Sequence, residues 1–290
     1  MNFLFATTFI IGKAALNYSS PILFIAFRMV FAGIFLLGYK FFSNGLSKIQ
    51  KSDFKLIFLL SIIHIYIPYV FEYWALQYVS AAKASMLFNL APFITAILVF
   101  YLYNEKLSKM KVVGLIIGVL GFLPILLTQS TIEQSQPKVF FLSLPEIFLL
   151  ISIISASYAW IIIQNNLKQK DYSLITLNGF AMLIGGIFSF ITAPLFENIA
   201  ISNVKNFIWL TGLIIIIGNV ICYNLYGWLL KKYSATFISF TGFSIPLFTA
   251  LLQWFFFNEL VSWAFFATAV LVAIGLYLFY EEELKVYHIK

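Results

Sequence analysis

Polar residues in this chain collect into short breaks, and between them the sequence stays apolar for about twenty residues at a time. Cutting at those breaks predicts ten helices, at about 2–17, 21–42, 55–78, 81–103, 109–128, 145–167, 172–194, 207–230, 235–257 and 262–280. A backbone embedded in lipid has to satisfy its amides within its own segment, and a helix needs about 20 apolar residues to cross the hydrocarbon core. The pattern therefore predicts an all-α polytopic membrane protein. The first segment begins almost at Met1 and lacks the basic n-region and small-residue cleavage site of a signal peptide. It reads as a retained span, and its shortness points to a start upstream of Met1.

The polar breaks and the apolar runs repeat. Ser80-Ala81, Ser85, Pro92, Thr95-Ala96, Leu98, Asn104-Glu105 and Ser108 recur without a gap as Ser234-Ala235, Ser239, Pro246, Thr249-Ala250, Leu252, Asn258-Glu259 and Ser262. The offset is 154 positions (246 − 92 = 154), and it also relates Tyr69 to Tyr223, Trp74 to Trp228, Leu76 to Leu230 and Gly121 to Gly275. The chain thus divides into a first five-helix repeat at 1–128, a linker at 129–144, a second repeat at 145–281 and a tail at 282–290. Five is odd, so the second repeat enters the membrane from the opposite side. The fold expected is ten transmembrane helices in two inverted five-helix repeats, an arrangement typical of secondary transporters.

Composition agrees and narrows the function. The chain is 62% hydrophobic and 10% charged, where soluble domains run at about 45–50% and about 25%. The polar stretches 43–52 and 129–143 are too short to hold a soluble catalytic or ATP-binding domain. Alternating the loops between two sides gathers Lys40, Lys48, Lys51, Lys55, Lys106, Lys109, Lys111, Lys168, Lys170, Lys231, Lys232, Lys285 and Lys290 on one side. Lys83, Lys138 and Lys205 fall on the other. The lysine-rich side reads as cytoplasmic, with both termini inside. Topology then accounts for the net charge of +7, and no nucleic-acid partner is implied. Cys222 is alone and reads as packing. The only aspartates, Asp53 and Asp171, lie at helix ends, His288 is in the tail, and no GxxxxGK[ST] phosphate loop exists. Neither an enzyme nor a metal or cofactor site is expected.

Ionisable groups within apolar segments each cost at least about 2.5–3.5 kcal/mol on insertion scales, so each needs a reason. They are Lys13, Arg28, His64 and Glu72, with Lys83 at a helix end. At 1.5 Å per residue, Arg28 lies about 10 Å and Glu72 about 9 Å from the same face. Glu72 can pair with Arg28 or Lys13 as an architectural ion pair, or the layer can meet cargo of mixed charge. Lys83 reads as an interfacial snorkeller. His64 is a candidate for proton coupling or a neutral hydrogen-bonded histidine, and Glu72 is an equal candidate for a proton carrier. The second repeat places Leu167, Met182, Tyr226 and Phe237 where Lys13, Arg28, Glu72 and Lys83 stand, an asymmetry that suits an asymmetric ligand. Tyr158, Trp160, Gln164, Asn178, Asn219, Tyr223, Asn224 and Gln253, with Tyr69, Tyr73 and Trp74, can supply aromatic walls and amides. Asn89 and Ser85 precede Pro92 as Ser239 and Ser244 precede Pro246, so these two prolines should bend equivalent gating helices, and Pro68 should bend the helix carrying His64 and Glu72. Gly114-x3-Gly118 with Gly121 allows close helix approach, within the chain or in a homodimer. Glu105 and Glu259 read as turn residues, Glu105 pairing with Lys109.

Several of these stretches resemble a known family. Phe5-Ala6-Thr7-Thr8-Phe9 with Lys13, then Pro21 and Arg28, the run Ala75-Leu76-Gln77-Tyr78-Val79-Ser80-Ala81, and the paired Pro92…Glu105 and Pro246…Glu259 together resemble the drug/metabolite transporter superfamily, of the ten-helix EamA type. Phe5-Ala6 departs from the family's frequent Trp-Gly. The resemblance spans the whole chain and implies a permease working by alternating access, with a small-molecule cargo and either a proton or an exchanged metabolite as coupling partner. The cargo expected is an amino acid or related zwitterion, carried across a bacterial cytoplasmic membrane. Richness in Phe, Ile, Lys, Tyr and Asn fits an AT-rich genome and a host-dependent bacterium, which keeps an importer of S-adenosylmethionine or a nucleotide-related metabolite as the alternative. A membrane sensor or scaffold without transport is the rival from another class.

Overall fold

A computed structural model describes residues 1–44, 53–104, 107–169, 173–233, 238 and 241–287. Eight helices within it are long and apolar enough to cross a membrane. They are α2 (Pro21–Ser43), α3 (Asp53–Leu76), α4 (Ala81–Tyr103), α5 (Lys109–Leu127), α6 (Leu144–Asn166), α7 (Leu174–Phe196), α8 (Val204–Leu230) and α10 (Trp263–Glu281). Two shorter apolar helices, α1 (Asn2–Ala15) and α9 (Gly242–Phe257), complete the series. At 14 residues and 1.5 Å per residue, α1 is about 21 Å long, short of the roughly 30 Å hydrocarbon core. Residues 234–237, 239 and 240, which the sequence places at the start of α9, lie outside the described residues, as do Glu105, Asp171 and His288.

The duplication extends to backbone irregularities. A π turn at Ser61–Tyr66 in α3 recurs at Ile215–Cys222 in α8. A 3-10 turn at Phe88–Leu90 in α4 recurs at Gly242–Ser244 in α9, each followed by its proline, Pro92 or Pro246. Proline has no N–H to give and crowds the carbonyl four residues back, so the turn before it tightens. Asn104 and Asn258 end their helices in the left-handed region, at φ 54° and 55°. Asparagine tolerates that conformation, which explains why the twin turn motifs begin with it.

Pro68 lies just past a π turn. In a π turn the carbonyl of Ile63 would accept from residue 68, which as proline cannot donate. Ser155 Oγ of α6 donates to that carbonyl instead, at 2.7 Å. In α8 the equivalent position is Cys222, a buried free cysteine, yet the π turn persists. The wide turn therefore belongs to the repeat, and the proline is accommodated by it.

Packing obeys the same offset. The equivalent helices α2 and α7 lie against each other, as do α5 and α10; α1 packs on α8 and α9 just as α6 packs on α3 and α4. Tyr69 and its equivalent Tyr223 meet with ring centroids 6.1 Å apart, which marks the approximate two-fold relating the halves. The glycine motif of α5 is used within the chain. A Cβ on Gly114 would fall 2.5 Å from the Phe279 nitrogen of α10, and one on Gly118 would enter the Phe93 ring. Gly118→Val should therefore destabilise the fold by about 1–3 kcal/mol through overpacking. Melting of purified protein in detergent checks this, and an unchanged midpoint would mean that α5 is not held this close to Phe93 of α4.

The linker carries structure of its own. Ser130 and Glu133 form a capping box on the one-turn helix Thr131–Gln134, and Lys138–Val139 pairs antiparallel with Leu142–Ser143. This segment closes the end of the bundle opposite Met1.

Candidate substrate cavity between the repeats

Where the two halves meet, a cavity of about 170 Å³ is lined by residues of both. α1 contributes Phe5, Thr8 and Phe9, α2 contributes Arg28, and α3 contributes Pro68, Tyr69, Glu72 and Tyr73. The facing wall comes from Trp160 and Ser157 on α6 and Gly218, Tyr223 and Tyr226 on α8. Asn89, in the 3-10 turn of α4, and Gly242, in that of α9, close the sides. Both 3-10 turns thus contribute residues to the lining.

Arg28 is the most elaborately held of these groups. Only 2% of it is exposed. Its Nε donates to Asn219 Oδ1 at 2.7 Å and its Nη1 to the Tyr73 hydroxyl at 2.8 Å. The guanidinium carbon stands 4.7 Å from the Tyr69 ring centroid and 5.6 Å from that of Tyr73, a cation–π arrangement. Nη2 is left beside Gly218, where an added Cβ would come within 3.0 Å of it. The π turn of α8 contains both Gly218 and Asn219, so one backbone irregularity supplies both the partner and the room.

Glu72 lines the same cavity but does not pair with Arg28 or Lys13, contrary to the ion pair considered from sequence. Among the described residues Glu72 has no ion-pair partner within 4 Å, whereas Lys83 pairs with both Glu133 and Glu146. Arg28 satisfies itself with neutral oxygens and aromatic faces, and the two opposite charges remain separate on the cavity wall.

Lys13 leaves the expected layer. Its Nζ donates to the carbonyls of Leu76, Gln77 and Val79 at 2.5, 3.2 and 2.9 Å. A cation at a helix C-terminus meets unpaired carbonyls and the negative end of the dipole. In the second half the equivalent task, α6 closing the end of α8, falls to Gln164, which donates to the carbonyls of Leu230 and Tyr233. The missing charge at Leu167 is therefore not a mark of ligand asymmetry.

Four further candidates lie away from the lining. Gln253 of α9 accepts from the Ala82 N–H at 2.8 Å and caps the start of α4. Trp74 packs against Phe148 and Tyr78, with centroids 4.6 and 4.9 Å away. Tyr158 is half-buried and outside the cavity. His64, fully buried, stands behind the wall, edge-on to Trp160 at 4.5 Å and tilted against Tyr223 at 5.1 Å. Neither of its ring nitrogens has a hydrogen-bond partner among the described residues. Asn178 and Asn224 bond to each other between α7 and α8.

Lys83 is no snorkeller. It is buried, and its Nζ lies 2.7 Å from Glu133 Oε1 and 2.7 Å from Glu146 Oε1. With Lys13, Gln253 and Glu197, whose carboxylate accepts from the Ile22 and Leu23 amides at 3.0 and 2.8 Å, it ties down the linker end of the bundle. The cavity reaches the other way, to Met1, Asn2 and Ile245.

The EamA-like transporter family matches residues 1–127 and again 143–281. The chain is 29% identical over 287 residues to the S-adenosylmethionine/S-adenosylhomocysteine transporter of Chlamydia muridarum, covering 98% of this chain and 90% of that protein. It is 28% identical to the protein of the same name from Chlamydia trachomatis serovar D, over 98% and 88% of the two chains. An uncharacterized transporter of Archaeoglobus fulgidus is 24% identical over 95% and 93%. A solved crystal structure superposes with a TM-score of 0.68 at 16% identity, covering 96% of this chain and 94% of that one.

Proposed function

Because this chain belongs to the EamA-like transporter family, we propose that it carries S-adenosylmethionine across a bilayer in exchange for S-adenosylhomocysteine. The observation that carries this reading is a cavity between aromatic walls on which a guanidinium and a carboxylate stand unpaired with each other. An aminoacyl nucleoside offers a matching set: a base to stack on the aromatic walls, a carboxylate for Arg28 and a cationic centre for Glu72. Relatives that match nearly the whole chain and bear that transporter name support the same cargo over the simple amino acids first expected.

The duplicated turns and packing support alternating access by two inverted five-helix repeats, with the linker at 129–144 between them. Lys83, Lys13, Gln253 and Glu197 hold the linker end shut while the cavity extends toward Met1. Lysine bias assigns the Met1 end to the cytoplasm, so this conformation faces inward. Opening to the other side requires α4 and α9 to part near Gln253 and Ala82, pivoting at their 3-10 turns.

The reading is tested by counterflow. Proteoliposomes preloaded with unlabelled S-adenosylhomocysteine should take up labelled S-adenosylmethionine saturably, with no uptake into empty-vesicle controls. Folded, inserted protein that exchanges neither compound would refute this cargo.

A further inference from the structure

The exchange proposed above involves two molecules of similar shape that differ by one S-methyl group and the positive charge it confers, a sulfonium in one and a neutral thioether in the other. We propose that Glu72 is the residue by which the cavity tells them apart, seating the sulfonium between its carboxylate and the Trp160–Tyr226 aromatic pair. This rests on the cargo reading and assigns its charge selectivity to one position.

The argument starts from the two-fold. Glu72 and Tyr226 are equivalent positions (226 − 72 = 154), and both line the cavity, so they approach its centre from opposite sides. Tyr226 stands against Trp160 with centroids 4.3 Å apart, and Phe5 of α1 adds an edge at 6.2 Å. A carboxylate on one wall and electron-rich ring faces on the other both attract a cation and offer nothing specific to a neutral sulfur. Arg28 shares the cavity without closing onto it as an ion pair: its guanidinium bonds Asn219 and the Tyr73 hydroxyl and stands over the Tyr69 ring, and no cation lies within 4 Å of the Glu72 carboxylate among the described residues. Among the described residues no other side chain of the lining supplies a negative charge. A wall built for shape alone would have no use for an unpaired carboxylate in a membrane interior, where such a group is expensive.

The experiment measures, in one proteoliposome preparation, how well the unlabelled sulfonium and thioether forms each compete for exchange. Wild type sets the reference ratio, and wild type that exchanges neither form fails the cargo reading and takes this inference with it. If wild type exchanges both, Glu72→Gln should lower the sulfonium-to-thioether preference by roughly ten- to a hundred-fold, the usual worth of a bond to a charged group. Glu72→Asp, which keeps the charge, should retain most of the preference. A ratio unchanged in Glu72→Gln, loss of both forms in equal measure, or a preference lost equally in Gln and Asp would each overturn the assignment while leaving the cargo reading intact.

Discussion

Lys83→Met should cost about 3–5 kcal/mol of stability, the usual result of removing one partner from a buried charge cluster. Lys83 Nζ is 2.7 Å from Glu133 Oε1 and from Glu146 Oε1, and it also donates to the Thr128 carbonyl at 3.2 Å. The contact with Glu146 is one of charge and distance, since its Oε1 lacks a well-aligned hydrogen bond. Both carboxylates have other donors. Glu133 Oε2 accepts from the Ser130 amide at 3.0 Å, and Glu146 Oε2 from the Ser143 amide and hydroxyl at 2.7 and 2.9 Å. Those donors fix the acids in place and buried, so they cannot swing to solvent once the ammonium is gone. Methionine keeps the stem's packing and removes only the charge, which isolates the electrostatic loss.

The acids give the contrasting case. Glu133→Gln leaves Lys83 and Glu146 as a balanced pair and keeps an oxygen for Ser130, so it should shift stability far less than Lys83→Met. Melting midpoints of the two variants in the same detergent decide the matter. Equal, small shifts would mean that the cluster is solvated and does not hold the linker to α4.

Most of the architecture could be read from the chain because it rests on local signals repeated at one offset. Apolar run lengths gave the helices, and Asn104, Asn258, Pro92 and Pro246 carry their turn geometry in their own covalent structure. Partnership across elements could not be read this way. The helices are apolar nearly all round, so no polar stripe reveals which face turns inward, and a residue's partner depends on that rotation. Gln253 and Trp74 look like cavity residues in sequence, yet one caps α4 and the other packs on Phe148. Lys83 looks interfacial because its acids come from the linker and the next helix. At Lys13 the offset alone misleads. It sets the charge against an uncharged Leu167, whereas the structural equivalence is one of task and is met by Gln164, three residues away. Arg28 was picked out by the cost of its charge in lipid, but Asn219 as its partner had no sequence signal, since it is delivered by a π turn that no local motif announces.

That delivery makes Arg28 the position with the largest expected effect on transport. Arg28→Met should reduce exchange by roughly a hundred-fold or more, because losing one side of a buried, hydrogen-bonded charge interaction costs about 2–5 kcal/mol. The sharper test is Arg28→Lys. Lysine keeps the charge but offers a compact ammonium in place of a planar fork. It cannot reach Asn219 Oδ1 and the Tyr73 hydroxyl as Nε and Nη1 do and still present a third nitrogen beside Gly218 to a cargo carboxylate. Arg28→Lys should therefore lose nearly as much as Arg28→Met. Asn219→Ala, which leaves the guanidinium but frees its orientation, should lose about ten-fold, the worth of one bond to a charged group. Exchange rates, read beside melting midpoints that separate misfolding from lost binding, give the order expected: Met and Lys together at the bottom, the Asn219 variant between them and wild type. Wild-type exchange in Arg28→Lys would show that charge alone is used there and that the fork geometry serves only to join α2 to α8. Wild-type exchange in Arg28→Met would remove Arg28 from the cargo site altogether and leave it as the bond between the two repeats.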